Sequence, residues 1–308
     1  MIVFGGNASV DLLIKVCSFL NIPLGKILVS KFPDGETRVE VGESVRGKDV
    51  FILQSTSPPV NDNLMELFFM IDALRRASAR RITGVIPYFG YSRQDRKHIG
   101  RVPISAKIAA GMIEKAGADR VLTVDLHASQ IQGFFEIPVD HFPGYLPFKD
   151  GFHESMKELV VVASDTGSAE RAENFANKFN VPQARIEKRR TGEKTEVRGV
   201  IGDVEGKTAL LVDDIISTGG TMAGDAEALI KKGAKRIIAS ATHGVFSPGS
   251  KDTLDNSDIE KIYVTDSVKP VFPLPRKAVC EHSVVPFLAE GIRRIHENLS
   301  VGEIIEHT

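Results

Sequence analysis

The sequence predicts an α/β protein made of two halves, each a mostly parallel β-sheet flanked by helices. First, short β-branched runs alternate with longer stretches of helical period along the chain. Second, the candidate strands are near-continuous apolar runs such as ALLV and RIIAS, which is typical of strands covered on both faces. Third, the length of 308 residues suits two domains of ~150 residues, each large enough to bury a core.

The individual elements follow from these two periods. The candidate strands, in chain order, are Ile2–Phe4, Ile27–Val29, Val50–Gln54, Ile82–Pro87, Val121–Leu126, Leu159–Ser164, Thr208–Asp213, Arg236–Thr242 and Lys261–Thr265. The candidate helices are Val10–Leu20, Asn63–Ala79, Pro103–Ala116, Ser168–Phe179, Thr221–Lys232 and Val284–Asn298. Gly117 and Gly233 directly follow two of these helices, where a left-handed capping residue is expected.

The domain boundary is predicted from composition. The segment from His141 to Glu154 is rich in Pro, Gly and Phe and lacks helical period, so we expect the chain to cross between the halves there. This places one domain at residues 1–143 and the other at residues 144–283. A second proline-rich stretch, from Asp266 to Pro275, leads to the last helix. We expect that helix, within residues 284–308, to return to the first domain.

The composition is that of an ordinary globular protein and argues against several classes. Lys and Arg total 39 against 40 Asp and Glu, so the net charge is −1, and no positive excess supports nucleic-acid binding. No apolar run approaches the ~20 residues of a membrane span, and the first residues lack the layout of a secretory signal. The two cysteines lie far apart without metal-site spacing. We therefore expect a cytoplasmic protein without a disulfide framework or zinc site.

The strongest candidate for a functional site is the segment Leu210–Thr221, LLVDDIISTGGT. An apolar strand ends at Asp213 and Asp214, and a turn of Ser, Thr and Gly leads into a helix. Small residues and helix-start N–H groups can bind a phosphate there, and the adjacent carboxylates suit sugar hydroxyls or a divalent cation. The alternative is an ordinary turn with a helix cap. Two consecutive Asp residues directly after four apolar ones favour a binding role.

Two further turns follow apolar strands in the same way. Asp125 and His127 lie two residues apart at the end of the candidate strand Val121–Leu126, and strand geometry would point them to the same side, as suits cation binding or proton transfer. A structural role for the single histidine is the alternative. Asp165 lies in the turn Ser164–Ser168 before a helix, where a helix cap is nearly as good an explanation. Ligands bind beyond the carboxyl ends of parallel strands, so both turns are candidates.

Two cationic segments complete the candidates. Pro87–Lys97, PYFGYSRQDRK, interleaves aromatic residues with Arg93 and Arg96, so a base could stack there while the cations bind phosphates. The aromatic residues argue against an ordinary solvated charge cluster. A second cluster, Glu187–Arg190, begins a polar segment that continues through TGEKTEVRG. Composition does not choose between a mobile loop that closes over a polyphosphate and a solvated hairpin.

Together these segments resemble the ribose-phosphate pyrophosphokinases, or phosphoribosyl pyrophosphate synthetases. The resemblance covers nearly the whole chain and is carried by FPDGE at residues 32–36, YSRQDRK at 91–97, DLHASQIQGFF at 125–135, KRR at 188–190 and VDDIISTGGT at 212–221. The Asp–Asp segment alone would indicate only the wider phosphoribosyltransferase fold. The resemblance implies two phosphoribosyltransferase-like domains. It also implies transfer of the pyrophosphoryl group of MgATP to the anomeric hydroxyl of ribose 5-phosphate, releasing AMP, for nucleotide biosynthesis.

The resemblance further implies Mg²⁺ as cofactor and a set of residues for the MgATP end of the site. An adenine-binding loop lent by a neighbouring subunit would consist of Asp34, Gly35 and Glu36. ATP would also be bound by Arg93, Gln94 and Asp95. The metal-bound polyphosphate would be held by His127 and Asp165. Because a loop is lent across an interface, the implied assembly is a homo-oligomer of dimers, up to a hexamer.

The remaining implied residues serve the transfer and the sugar phosphate. The catalytic cations would be Lys188 and Arg190, with Arg190 also contacting ribose 5-phosphate. The ribose hydroxyls would be bound by Asp213 and Asp214. The 5-phosphate would be bound by Ser217, Thr218, Gly219, Gly220 and Thr221.

Two departures from the family pattern occur in these segments. Residues 164–168 read SDTGS where Pro-Asp-x-Gly-Gly is usual, and residues 217–221 read STGGT where DTAGT is commoner. Two other functions stay open. A phosphoribosyltransferase would use the same Asp–Asp segment with a base, although the RQDRK segment and the lack of a distinct base-binding hood argue against it. A non-catalytic member would regulate a partner, although the intact Lys188–Arg190 segment argues against that.

Overall fold

The chain forms two compact units, each with its own sheet and buried core. The computed structural model describes residues 1–148, 150–152, 156–165, 167–191 and 194–306, with side chains for all of these except 156 and 189–197. Unit 1 contains Met1–Pro143, Ser267–Lys269 and Val284–Thr308. Unit 2 contains Gly144–Asp266 and Pro270–Ser283.

The described residues form strands and helices in alternation. The strands are β1 Ile2–Gly5, β2 Ile27–Lys31, β3 Thr37–Val41, β4 Asp49–Leu53, β5 Arg81–Ile86, β6 Arg120–Val124, β7 Val139–Phe142, β8 Leu159–Ala163, β9 Gln183–Thr191, β10 Lys194–Ile201, β11 Thr208–Ile216, β12 Arg236–Gly244, β13 Ile259–Thr265 and β14 Ala278–His282. The helices are α1 Val10–Leu20, α2 Val60–Arg76, α3 Ser105–Ala116, α4 Ala169–Phe179, α5 Gly220–Lys231, α6 Ser250–Asp255, α7 Val285–Glu297 and α8 Glu303–Glu306.

Unit 1 is built on a five-stranded sheet in the order β1-β4-β5-β6-β7, in which every neighbouring pair is parallel. Apolar residues of α2 and α3 share one core cluster with Phe4 and Ile52 of the sheet. Helix α7 packs directly on the strands, since a Cβ on Gly291 would lie 3.1 Å from side-chain atoms of both Leu122 and Phe142. β2 and β3 form a separate antiparallel hairpin.

Unit 2 is built on a seven-stranded sheet in the order β10-β9-β8-β11-β12-β13-β14. It is parallel except for the antiparallel pair β9 and β10 at one edge. Residues of β8 alternate between two core clusters, because Val160 and Val162 share one with α5 whereas Val161 and Ala163 share the other with α4. Helices therefore cover both faces, and the predicted class of mostly parallel sheets flanked by helices is confirmed.

The structure adds elements that the search for apolar runs does not detect. β7 occupies the start of the segment predicted to be an irregular crossing, and it pairs in parallel with β6. β3 and β14 lie at sheet edges and carry polar residues, which such a search passes over. The polar segment after Glu187 pairs as the β9–β10 hairpin in its described residues, as the hairpin alternative predicted, and its closure over a polyphosphate stays a prediction. Helix α6 is also absent from the helices predicted from the sequence.

Candidate active site

The Asp–Asp pair lies on β11, at the centre of the unit 2 sheet between β8 and β12. The strand does not end at this pair, as the sequence predicts, but continues to Ile216, with Asp213 opposite Ala241 of β12. Beyond it, Ser217–Gly219 form a short turn, and α5 begins at Gly220. Because β8, β11 and β12 are parallel, the pair lies at the edge where ligands bind in α/β sheets.

One cation lies beside the two carboxylates. The Arg171 guanidinium, on α4, lies 3.9 Å from Asp213 Oδ1 and 3.8 Å from Asp214 Oδ1. The exposed fractions of the three side chains are 11%, 27% and 3%. Burial and the charge of Asp214 raise the pKa of Asp213 well above its ordinary value, and Arg171 opposes that rise. The site therefore contains a proton-sensitive carboxylate pair next to an arginine.

The turn before α5 has the features of a phosphate-binding turn. Gly219 has φ of +77°, and a Cβ there would lie 2.6 Å from Leu254 Cγ, so both backbone and space require glycine. No described side chain caps the start of α5, and Thr218 and Thr221 are exposed. The first N–H groups of the helix can therefore bind an anion. The Ser217 and Ser247 hydroxyls share a hydrogen bond of 2.7 Å that fixes the turn from the other side.

Lys188 lies on β9 and is held by an acidic residue of α5. Its Nζ is 2.6 Å from Oδ1 and 2.9 Å from Oδ2 of Asp225. The exposed fractions are 12% for Lys188 and 1% for Asp225, so the ion pair is largely buried. Burial raises the pKa of Asp225, although Lys188 opposes the rise. Arg190 stands opposite Thr195 in the hairpin, and its side chain lies outside the described residues.

Asp165 lies in the turn between β8 and α4, where it also stabilises the backbone. Its Oδ1 accepts a hydrogen bond from the Ser168 N–H at 2.9 Å, and its own N–H donates to the Ser168 hydroxyl at 3.1 Å. The serine that departs from the family pattern therefore supports the turn. Asp165 is exposed, and its negative charge contributes to the raised pKa of Asp225. The turn thus provides a carboxylate at the same sheet edge as the Asp213–Asp214 pair.

In unit 1, the residues predicted to bind ATP lie in the turn after β5. The Gln94 N–H donates to the carbonyl of Tyr91 at 2.9 Å, and Tyr91 has φ of +64°. The Ser105 hydroxyl, at the start of α3, donates to Gln94 Oε1 at 2.5 Å. Arg93 and Gln94 are exposed, and Asp95 is half-buried. The turn therefore presents a cation and an amide to solvent.

His127 lies in the turn that follows β6, outside the strand. Asp125 has φ of +44°, in the left-handed region, so the predicted strand-like alternation of Asp125 and His127 is wrong. The Asp125 N–H donates to the carbonyl of Phe142 at 2.8 Å, and the Leu126 N–H donates to Nε2 of His141 at 3.0 Å. β7 therefore fixes this turn, and His127 is half-buried within it.

The predicted adenine-binding loop is the tip of the β2–β3 hairpin. Gly35 has φ of +93°, and the Glu36 N–H donates to Asp34 Oδ1 at 3.2 Å. Asp34, Gly35 and Glu36 are all exposed. The Arg38 guanidinium lies 5.9 Å from the centre of the Phe32 ring, which is itself exposed. The hairpin therefore presents a tight turn and an aromatic ring to solvent.

The predicted site residues fall into one group in each unit. In unit 2, the Asp pair, the α5 turn, Asp165 and Lys188 converge at one sheet edge. In unit 1, the turns after β5 and β6 leave the same edge because these strands are neighbours and parallel, whereas the β2–β3 tip belongs to a separate hairpin. Sequence reasoning missed Arg171, Asp225 and Ser247. Each contacts its partner across a long sequence separation, and no local motif marks it.

Two general features of the described residues concern metals and membranes. Within the described ranges, no group of three His, Cys, Asp or Glu side chains could hold a metal ion by itself. Among the same residues, no helix combines the length and the apolar character needed to cross a membrane.

Comparison with known proteins gives a consistent result. Residues 1–117 match the family described as the N-terminal domain of ribose phosphate pyrophosphokinase, and residues 183–306 match the phosphoribosyl synthetase-associated domain. The chain is 49% identical to the ribose-phosphate pyrophosphokinase of Thermotoga maritima, over 99% of this chain and 98% of the relative. It is 48% identical to that of Rhizobium meliloti, over 99% of this chain and 100% of the relative.

A solved structure agrees with these relatives. The phosphoribosylpyrophosphate synthetase from Mycobacterium smegmatis superposes with a TM-score of 0.88 at 41% identity, covering 96% of this chain and 99% of that chain. The resemblance predicted from the sequence motifs is thereby confirmed. The chain belongs to the ribose-phosphate pyrophosphokinase family.

Proposed function

We propose that this protein is a ribose-phosphate diphosphokinase, which converts MgATP and ribose 5-phosphate into phosphoribosyl pyrophosphate and AMP. The observation that carries the proposal is the β11–α5 segment of unit 2. There, two buried or half-buried carboxylates are followed directly by an uncapped helix start. Carboxylates accept hydrogen bonds from sugar hydroxyls, and a helix start binds phosphate. One segment can therefore hold both ends of a sugar phosphate.

This geometry supports our proposal for the ribose 5-phosphate end of the site. Asp213 and Asp214 accept hydrogen bonds from the ribose hydroxyls. The positive charge of Arg171 offsets the cost of burying their combined negative charge. The phosphate is bound by the turn from Ser217 to Thr221, through backbone N–H groups and hydroxyls. The hydrogen bond between the Ser217 and Ser247 hydroxyls holds this turn in place, which helps to orient the sugar with its anomeric hydroxyl in a defined position.

The MgATP end is assigned to exposed turns. In our proposal, the nucleotide is bound by Arg93, Gln94 and Asp95, and the adenine by the hairpin tip Asp34–Glu36 of a neighbouring subunit. Arginine is well suited to phosphate oxygens, and an exposed hairpin tip can reach another subunit.

The donor set fits Mg²⁺ that arrives with the nucleotide. Mg²⁺ is usually bound through one or two carboxylates together with substrate phosphates and water, and Asp165 offers an exposed carboxylate. His127 is a less typical ligand for this ion, so its role in our proposal is to contact the polyphosphate that the ion carries. When bound, Mg²⁺ would neutralise charge on the phosphate oxygens.

The transfer step depends on positioning and on charge. The anomeric hydroxyl oxygen forms a bond to the β-phosphorus of ATP, the bond from that phosphorus to the oxygen of AMP breaks, and the hydroxyl proton is released to water. Lys188 and Arg190 stabilise the negative charge that develops on the transferred group. Lys188 is suited to this role because its ammonium group carries three donors, and only Asp225 is seen to engage it among the described side chains.

We further propose that the protein acts in the cytoplasm as a homo-oligomer. α2 and α3 pack against each other, and each leaves an exposed apolar pair one turn apart. These pairs are Met65 with Phe69 and Ile108 with Met112. An apolar face of this kind is suited to a second copy of the chain. Sedimentation analysis measures the oligomer size.

The test of the function begins with wild-type protein, ATP, ribose 5-phosphate and Mg²⁺. AMP formation that requires ribose 5-phosphate supports the proposal. Without AMP, reaction of a base with phosphoribosyl pyrophosphate would favour a phosphoribosyltransferase, and no reaction at all would favour a regulatory role. For the catalytic cation, Lys188→Ala should depress kcat far more than ATP affinity. Equal losses in both would contradict its role in the transition state.

A further inference from the structure

The ion pair between Lys188 and Asp225 joins the hairpin to the helix of the phosphate-binding turn. We propose that Asp225 is a positioning residue, which holds the Lys188 ammonium group beside the start of α5 for pyrophosphoryl transfer. This inference rests on the proposed function, because it acts through the catalytic role of Lys188. Asp225 itself need not touch either substrate.

The position of Asp225 on the helix supports the inference. Asp225 follows Thr221 by four residues on α5, so the two share one face and are separated by about 6 Å along the helix axis. Lys188 therefore meets α5 one turn from the N–H groups that we assign to the 5-phosphate. The β10 strand of the hairpin also contacts α5, which keeps this part of β9 near the helix.

The contacts are those of a fixed pair. Both carboxylate oxygens of Asp225 lie within 2.9 Å of Nζ. The carboxylate is almost fully buried, and the lysine is 12% exposed, so neither side chain can rotate freely into solvent. An ammonium group has three donors, and at most two are needed for this carboxylate. One donor is left for a phosphate oxygen.

The pair also explains how a flexible side chain can be placed accurately. A free lysine has four rotatable bonds and loses much conformational entropy when it binds a ligand. Asp225 removes that freedom before substrate arrives, which is a form of preorganisation. A pair that only stabilised the fold could be formed by any lysine, whereas this pair engages the lysine to which we assign a role in the transfer.

The first experiment replaces Asp225 by asparagine, which keeps the shape and removes the charge. We expect D225N to lower kcat roughly 10- to 100-fold, as misplacement of a catalytic group does, with little change in KM for either substrate. The matched control is E227Q, on the same helix, which removes an exposed partner of Lys231 and should keep wild-type kcat. D225E retains the carboxylate and should recover most of the lost kcat.

The second experiment asks whether Asp225 acts through Lys188. K188M and the double variant K188M/D225N should have the same kcat, because the carboxylate has no cation left to position. This comparison does not require D225N alone to fold: the double variant leaves no unpaired charge buried, and K188M leaves only the Asp225 carboxylate, which can take up a proton. Circular dichroism and thermal unfolding check that each assayed variant is folded.

Several results would overturn the inference while leaving the function in place. The first is D225N activity equal to that of E227Q. The second is an increase in the kcat of D225N, which would mean that the pair restrains Lys188. The third is a further loss of kcat in the double variant relative to K188M. D225E as impaired as D225N would also count against it. Failure of the proposed function is distinct, because the wild-type protein would then form no AMP.

Discussion

Replacing Gly219 by alanine directly tests the turn that we propose binds the 5-phosphate. The new Cβ would lie 2.6 Å from Leu254 Cγ and 2.7 Å from Cδ2. Leu254 is fully buried in the core of unit 2, so it can move only by shifting against its core neighbours. The backbone φ of +77° adds about 1–2 kcal/mol for a non-glycine residue, and overpacking adds about 1–3 kcal/mol. We therefore expect G219A to be destabilised by about 2–5 kcal/mol.

The matched control is Gly224→Ala, on the same helix. No atom lies within 4 Å of a Cβ at this position, so alanine should stabilise α5 by about 0.5–1 kcal/mol. Urea unfolding followed by circular dichroism compares both variants with wild type. In conditions where G219A is folded, its KM for ribose 5-phosphate should rise, while G224A should keep the wild-type value. Equal unfolding midpoints and equal KM values for the two variants would refute the requirement for glycine.

Three further changes test other parts of the molecule. Burial raises the pKa of Asp213, so its ionised form destabilises the fold once the pH exceeds the ordinary pKa of an aspartate. At neutral pH, D213N should therefore be more stable than wild type by roughly 0.5–2 kcal/mol but should lose turnover. Thermal unfolding measures the stability, and the AMP assay measures the turnover. The hydrogen bond from Lys251 helps lower the pKa of Asp255 from 3.8 to about 2. The ionised Asp255 carboxylate therefore stabilises the folded protein above about pH 4, and this stabilisation is lost towards pH 2. The stability difference between wild type and D255N, from unfolding at several pH values, should shrink over that range. Phe69→Glu should dissociate the proposed oligomer in sedimentation analysis, whereas Ile230→Glu, at an exposed position on α5, should not.

The sequence predicts the fold class and the central segment because both depend on local signals. Apolar strands with helices between them imply parallel sheets, and the Asp pair followed by Gly219 marks a strand, turn and helix in direct succession. Strand β14 lacks such a signal, because edge strands need not be apolar. The β9–β10 hairpin is polar throughout, so its formation depends on pairing with β8 more than on its own composition.

The unpredicted parts of the site depend on long-range contacts. Arg171 reaches the Asp pair of β11 from α4, and Asp225 meets Lys188 of β9 from α5, a helix distant in sequence. Nothing in the residues around Asp225 distinguishes it from an ordinary helix-surface acid. The conformation of Asp125 was also unpredictable, because a left-handed residue directly after a strand reverses the alternation that strand geometry imposes.

The most direct measurement follows the γ-phosphate label of ATP during turnover with ribose 5-phosphate and Mg²⁺. If the pyrophosphoryl group moves as a unit, the label appears in phosphoribosyl pyrophosphate, and AMP forms in equal amount. D213N should abolish this transfer. Label released as inorganic phosphate, or transferred singly to the sugar with formation of ADP, would contradict the proposed reaction.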